Sequence, residues 1–271
     1  MRRFGAGAWA GLGLVVLFAL LAMVGPLLAP YDPNAQSLAG LLRGPSGAHL
    51  LGTDENGCDL LSELLYGARL AAAISGATVL TCLGIGTVVG TIAGYAGGWI
   101  DDLLSRLIDV LLAFPGILLN LTVAALMPRT SAAHLVFILS LNGWVGYARV
   151  ARGQALALRE REFVQAARAL GASPVRVAAW HIVPNLLSPL IIQASFGFAG
   201  IILVEASLSF LGLGPQNAYS WGALLNQGTT YLWRASYLAA VPGVAIAAVV
   251  LGFNLLGDGL RDALDPRRVR S

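Results

Sequence analysis

The chain has 271 residues, of which 57% are hydrophobic and 11% charged, with a formal net charge of +3. Soluble domains carry about a quarter charged residues, so the polar surface of a water-solvated globule is missing and lipid must solvate much of this chain. All 17 cationic residues are arginine, and a P-loop needs a lysine to reach the nucleotide phosphates, so any ATP hydrolysis coupled to this chain belongs to another polypeptide.

No Asp, Glu, Arg or Lys occurs in residues 4–31, 70–100, 110–128, 130–148, 177–204 or 235–257. A helix needs about 20 apolar residues to cross a hydrocarbon core of about 30 Å, and each stretch meets or nearly meets that length. The pattern predicts an all-α, polytopic membrane protein with six spans, at about 7–29, 68–95, 104–127, 132–147, 186–211 and 237–256. The first span has too long an apolar core for a signal peptide, and Pro30 directly after Ala29 argues against cleavage there.

The polar stretch 31–67 follows, and its last part, 59–69, places Leu61, Leu64 and Leu65 at helical spacing. An interfacial helix leading into the second span is expected there. In the second span Gly86, Gly90, Gly94 and Gly98 recur every four residues, beside Gly84. That spacing keeps them on one helical face, where a neighbouring helix can approach closely.

Arg106 and Asp109 at the start of the third span are spaced to pair. Pro115 is expected to kink that span, and Pro242 the sixth. Asn120, Asn142, Gln193 and Asn254 either line a path or bond between helices, because amide and charged groups in lipid are costly. Glu205, toward the outer end of the fifth span, either meets passing cargo or satisfies loop backbone groups.

The basic segment 149–184 lies between the fourth and fifth spans. Phe163, Ala166, Ala167 and Leu170 share one helical face, opposite Arg161, Gln165 and Arg168. Gly171 is placed to end that helix in a left-handed conformation. Ser173 with Pro174 then reads as an N-cap with proline at the first helical position, and the second helix runs to Pro184. Such a helix–turn–helix serves as an interfacial anchor, a retention loop or a partner-docking surface. The tail 258–265 is also amphipathic, suited to packing on the membrane or on a partner.

With both termini inside, thirteen arginines fall on inner segments and four (Arg43, Arg69, Arg129 and Arg234) on outer ones, which the positive-inside rule favours. Cys58 and Cys82 are expected at different depths, and His49, His134 and His181 lack ligand spacing. No metal site is expected. Nor does the chain contain a nucleophile–base or H-E-x-x-H constellation for an intramembrane enzyme.

Segment 159–184 resembles the EAA loop of ABC importer permeases, whose pattern is E-A-A-x3-G followed at fixed spacing by I-x-L-P. Ala166, Ala167, Gly171 and Pro184 match, while Gln165, His181 and Val183 depart from it, and Glu162 stands one turn before Gln165. Residues 27–33 (L-L-A-P-Y-D-P), 51–59 (L-G-T-D-E-N-G-C-D), 94–99, 205–214 and 254–266 resemble, in order, the subfamily handling dipeptides, oligopeptides and nickel. That subfamily usually has arginine where Cys58 stands.

The resemblance implies a type I importer permease fold with both termini cytoplasmic, in a bacterial inner membrane. It divides the chain into an N-terminal helix with its outer loop (1–67), a permease domain (68–258, the EAA loop at about 159–184) and a tail (259–271). It implies a non-catalytic subunit with no cofactor of its own, ATP and Mg being held by two cytoplasmic ATPase subunits. A homologous second permease and an extracytoplasmic binding protein complete the expected assembly in the lipid bilayer, without nucleic acid. Dipeptides or oligopeptides are the expected cargo, with nickel or a metal chelate as the alternative. A stand-alone secondary transporter would need an inverted repeat, and no second copy of the basic helix–turn–helix is present.

Overall fold

The computed structural model describes residues 5–216 and 218–264. Arg2, Arg3, Asp265, Pro266, Arg267, Arg268 and Arg270, on which part of the arginine asymmetry and of the tail expectation rests, lie outside them. Ten helices occur among the described residues: α1 (Ala6–Leu28), α2 (Leu60–Ala96), α3 (Gly98–Ala113), α4 (Gly116–Ala125), α5 (Ala132–Arg159), α6 (Glu162–Ala169), α7 (Pro174–Val177), α8 (Val183–Phe210), α9 (Trp221–Thr230) and α10 (Tyr237–Leu264). Extended pairing among them is confined to one bridge, Thr53 with Asp59.

Among the described residues four helices are long and apolar enough to cross a membrane: α1, α2, the run Pro174–Phe210 and α10. The pair α3–α4, bent by 76° at its break, makes a fifth if the two form one span. Large apolar side chains on these helices point outward, such as Met23, Leu27, Leu80 and Val244, as expected of helices whose outer solvent is lipid. Helix α5 carries His134, Asn142, Arg149, Arg152 and Arg159 along its length and is the least lipid-like of the long helices. It packs along α2.

The chain shuttles between two ends of the bundle. Residues 29–59 and α9 form a cap at one end, where Trp221 Nε1 donates to the Leu64 carbonyl at 2.9 Å. There the Tyr237 hydroxyl sits 2.9 and 2.8 Å from the carbonyl oxygens of Arg43 and Thr53. Segment α6–α7 lies at the other end, between the end of α5 and the start of α8.

Several expected boundaries move. No interfacial helix precedes the second span: residues 60–96 are one 37-residue helix, started by Asp59, whose carboxylate accepts from Ser62 N at 2.9 Å. The third span is broken rather than kinked. Pro115 has no N–H to donate and disfavours helical backbone at Phe114, which is extended (φ −93°, ψ 131°). Pro242, by contrast, lies inside an unbroken α10.

The fourth span does not stop at Tyr147. Helix α5 continues to Arg159, so the first part of the basic segment is its last three turns. Pro184 does not end a helix either. The π turn Ala178–Ile182 joins α7 to α8, with Val183 N–H reaching back to the Ala178 carbonyl. Such a widened turn relieves the clash a proline ring makes with the carbonyl four residues earlier. The tail residues Asp258–Leu264 are the end of α10.

Candidate functional site

Segment 159–184 folds as two helices around a sharp turn. Glu162 opens α6, where a carboxylate suits the positive end of the helix dipole. At its other end Gly171 N–H donates to the Arg168 carbonyl at 2.9 Å and Ala172 N–H to the Ala167 carbonyl at 3.0 Å. These two bonds are a Schellman motif, and Gly171 takes the left-handed conformation (φ +81°) that the motif requires. Ser173 then caps α7, its hydroxyl accepting from Arg176 N at 3.4 Å, with Pro174 at the first helical position.

The expected apolar face of α6 turns outward. Val164 is buried and Ala167 half-buried against the bundle, whereas Phe163, Ala166 and Leu170 are exposed. Leu170 (88% exposed), Val175 (78%) and Trp180 (75%) extend that outward apolar surface. The inward face is held by Val164, Val177 and Ile182, which pack with Ala151 and Ala155 of α5 and Leu186 of α8. Gln165, in the position of the pattern's glutamate, turns back to donate to the Glu160 carbonyl at 3.2 Å and so satisfies the end of α5.

The segment is tied to the end of α2. Arg168 Nε donates to the Tyr95 hydroxyl at 3.2 Å, and its guanidinium carbon stands 4.7 Å from the ring centroid. Just beyond, Arg152 of α5 makes a two-point contact with Asp101 of α3, at 2.5 and 2.8 Å, a geometry suited to guanidinium and carboxylate. The spaced pair Arg106 and Asp109 does not form an ion pair.

Three of the four spaced glycines define the seam between α2 and α5. A Cβ at Gly86 would lie 2.5 Å from Tyr147 Cβ. One at Gly94 would lie 2.5 Å from the Arg152 carbonyl oxygen, and one at Gly90 would overlap the Ala148 carbonyl. Ala148, Ala151 and Ala155 supply the small residues on the α5 side, so the two backbones meet without intervening side chains. Gly98 is not part of the seam. It begins α3 at φ +55°, in open space.

Asn120 and Asn142 line one cavity of about 180 Å³ between α4, α5 and α8, together with Gly116, Gly143, Gly200 and Val204. Asn120 is buried and its Oδ1 has no hydrogen-bond partner. Gln193 stands against Gly146 on α5 instead, and Asn254 donates to the Val250 carbonyl within its own helix. Glu205 is buried, only 2% exposed. Its Oε1 accepts from Ser209 Oγ at 2.8 Å and Ser220 Oγ at 2.9 Å, fastening the loop before α9 onto α8.

A second polar cluster lies in the cap. Donor atoms of Asp54, Cys58 and Glu63, all three residues buried, lie within 4.8 Å of one another. Burial, and then the Asp54 and Glu63 carboxylates, push the Cys58 thiol up to about 11. Spacings of four and five residues match no familiar ligand pattern. The signal that was available lies in the residues themselves: a cysteine within five residues of two carboxylates, Asp54 and Glu63.

Residues 86–270 match the family described as binding-protein-dependent transport system inner membrane component, and residues 6–45 match the N-terminal transmembrane domain of oligopeptide transport permease C. The chain is 42% identical over 258 residues to a dipeptide transport system permease protein of Alkalihalophilus pseudofirmus, covering 95% of this chain and 84% of that protein. It is 40% identical to a probable D,D-dipeptide transport system permease protein of Escherichia coli (94% and 85% covered). It is 41% identical to a glutathione transport system permease protein of Pectobacterium atrosepticum (95% and 86%).

Proposed function

The chain belongs to the family of binding-protein-dependent transport system inner membrane components, and from that membership we propose that it is one of two permease subunits of an ATP-driven peptide importer. The observation that carries this reading is segment α6–α7. It presents an apolar outer surface (Phe163, Leu170, Val175 and Trp180) left exposed by the described residues, on a turn whose geometry Gly171 sets. A cytoplasmic ATPase subunit, holding ATP and Mg, is the partner that covers it. Its closure on nucleotide displaces α6, and the Arg168–Tyr95 contact passes the displacement to α2.

The arrangement then has six crossings. Helix α5, shielded from lipid by α2 and α8, serves as the fourth, and the broken pair α3–α4 as the third. Both termini are cytoplasmic, as the arginine asymmetry favours, in a bacterial inner membrane. The half of the path supplied by this chain includes the cavity bearing Asn120 and Asn142, and the other half comes from a homologous permease. An extracytoplasmic binding protein delivers cargo at the cap. The dipeptide and glutathione permeases among the relatives support a short peptide as cargo.

Proteoliposomes holding the two permeases and the ATPase pair test the reading. Labelled dipeptide should accumulate only with ATP inside the compartment facing the ATPases and with the binding protein on the opposite side. Accumulation by this chain alone, driven by an ion gradient, would make it a secondary transporter. Accumulation of nickel and not of peptide would change the cargo.

A further inference from the structure

We propose that Asp54, Cys58 and Glu63 form a binding site for one divalent cation of the zinc class, at the root of α2 inside the cap. The proposal is independent of the transport reading.

The site is built by local backbone. Gly57 (φ +75°) closes a turn in which Gly57 N–H donates to the Asp54 carbonyl at 3.2 Å and Cys58 N–H to the Asp54 carboxylate at 2.6 Å. That turn brings the Cys58 thiol alongside Asp54. Asp59 then caps α2, and Glu63, in the first turn of α2, comes back to the same point. The three donors lie within 4.8 Å of one another, and their residues are 1%, 4% and 4% exposed.

The orphaned atom is what points to a ligand. Glu63 Oε2 is buried and has no hydrogen-bond partner. Among the described residues no arginine or histidine pairs with Asp54 or Glu63; the nearby His49 pairs with Asp59, at 2.9 Å. Two buried carboxylates without a cation are costly, and a coordinated metal removes that cost for both.

The donor set selects the metal class. One thiolate with two carboxylates suits a borderline-soft cation such as Zn²⁺ and not Mg²⁺ or Ca²⁺, which take oxygen ligands. Zn–S bonds of about 2.3 Å and Zn–O bonds of about 2.0 Å place tetrahedral donors about 3.5 Å apart, so the side chains close by roughly an ångström on binding. Water takes the fourth position, and the thiol proton leaves to solvent. Asp54 is oriented by the Asn56 and Cys58 backbone N–H groups and by Gln227 Nε2 of α9 at 3.0 Å. Asn56 Nδ2, its longest contact at 3.2 Å, is the bond that yields to the metal. A bound ion thus joins the cap turn and the start of α2, and through Asp54 and Gln227 holds α9 to both.

The test uses the full chain, purified, stripped with chelator and titrated with Zn²⁺ or Co²⁺ alone. One Zn²⁺ per chain by elemental analysis, a thiolate-to-cobalt charge-transfer band and a raised unfolding temperature are expected. Cys58→Ser should abolish the band and weaken Zn²⁺ binding at least about 100-fold. Cys58→Arg, which puts a fixed positive charge beside the two carboxylates, should elute like the wild-type protein and bind neither metal. Substoichiometric metal in the folded wild type, or Zn²⁺ binding unchanged in Cys58→Ser, would overturn the site.

Discussion

Arg168 of α6 lies against Tyr95 at the end of α2, its Nε 3.2 Å from the phenolic oxygen and its guanidinium carbon 4.7 Å from the ring centroid. Tyr95 directly follows Gly94, the last glycine of the seam with α5. A load applied to the outer face of α6 therefore reaches the backbone where α2, α3 and α5 meet, held there by the Asp101–Arg152 pair.

Removing that link should separate ATP hydrolysis from transport. An exposed cation–π contact is worth about 0.5–1 kcal/mol, so Arg168→Ala should change the unfolding temperature of the assembled complex little. Peptide uptake per ATP hydrolysed should fall several-fold. Tyr95→Phe keeps the ring and loses the hydroxyl, and should fall between. An unchanged uptake-to-hydrolysis ratio in Arg168→Ala would show that this contact does not couple α6 to the spans.

Gly171 tests the turn itself. Its φ of +81° costs an L-residue about 1–2 kcal/mol, most for β-branched side chains, yet a Cβ there meets nothing within 4 Å. The penalty is conformational and not steric. Gly171→Val should leave membrane insertion intact and abolish or uncouple ATP-driven uptake, while Gly171→Asn, which tolerates the left-handed region, should keep most of it. Equal uptake by both variants and wild type would remove the docking role of the turn.

The glycine seam makes a stability prediction with its own control. Gly90→Ala drives a methyl into the Ala148 carbonyl, an overpacking that costs about 1–3 kcal/mol, and should lower both yield and unfolding temperature of the purified complex. Gly84→Ala, with nothing within 4 Å, should be neutral or slightly stabilising. If the two variants melt alike, close backbone approach is not what holds α2 to α5.

Much of this was readable from local chemistry. The Gly171 turn, the Ser173–Pro174 cap and the Gly86–Gly90–Gly94 face each depend on a few residues at fixed spacing, and the structure has them. What the pattern left open was burial. Phe163, Ala166 and Leu170 share an apolar face, but apolarity alone does not say whether that face turns toward the bundle or away from it, and Val164 is the residue turned in. Helix ends were also illegible at Pro184, where a π turn absorbs the proline. The Asp54–Cys58–Glu63 cluster was hidden because a loop turn and a helix cap had to form before those residues could meet.

Glu205 separates a structural carboxylate from one that meets cargo. Its Oε1 accepts from Ser209 and Ser220, and Ser220 also caps α9, accepting from Gly222 N at 3.2 Å. Glu205→Ala strands both hydroxyls in a buried site, a loss of about 1–3 kcal/mol for each orphaned group, so the complex should melt earlier and the loop before α9 should become protease-sensitive. Glu205→Gln keeps an acceptor oxygen in place and should preserve melting temperature and peptide uptake alike. If Glu205→Gln melted normally but lost uptake, the carboxylate's charge would be acting on the cargo. The two serine bonds would then be the means of holding it in place.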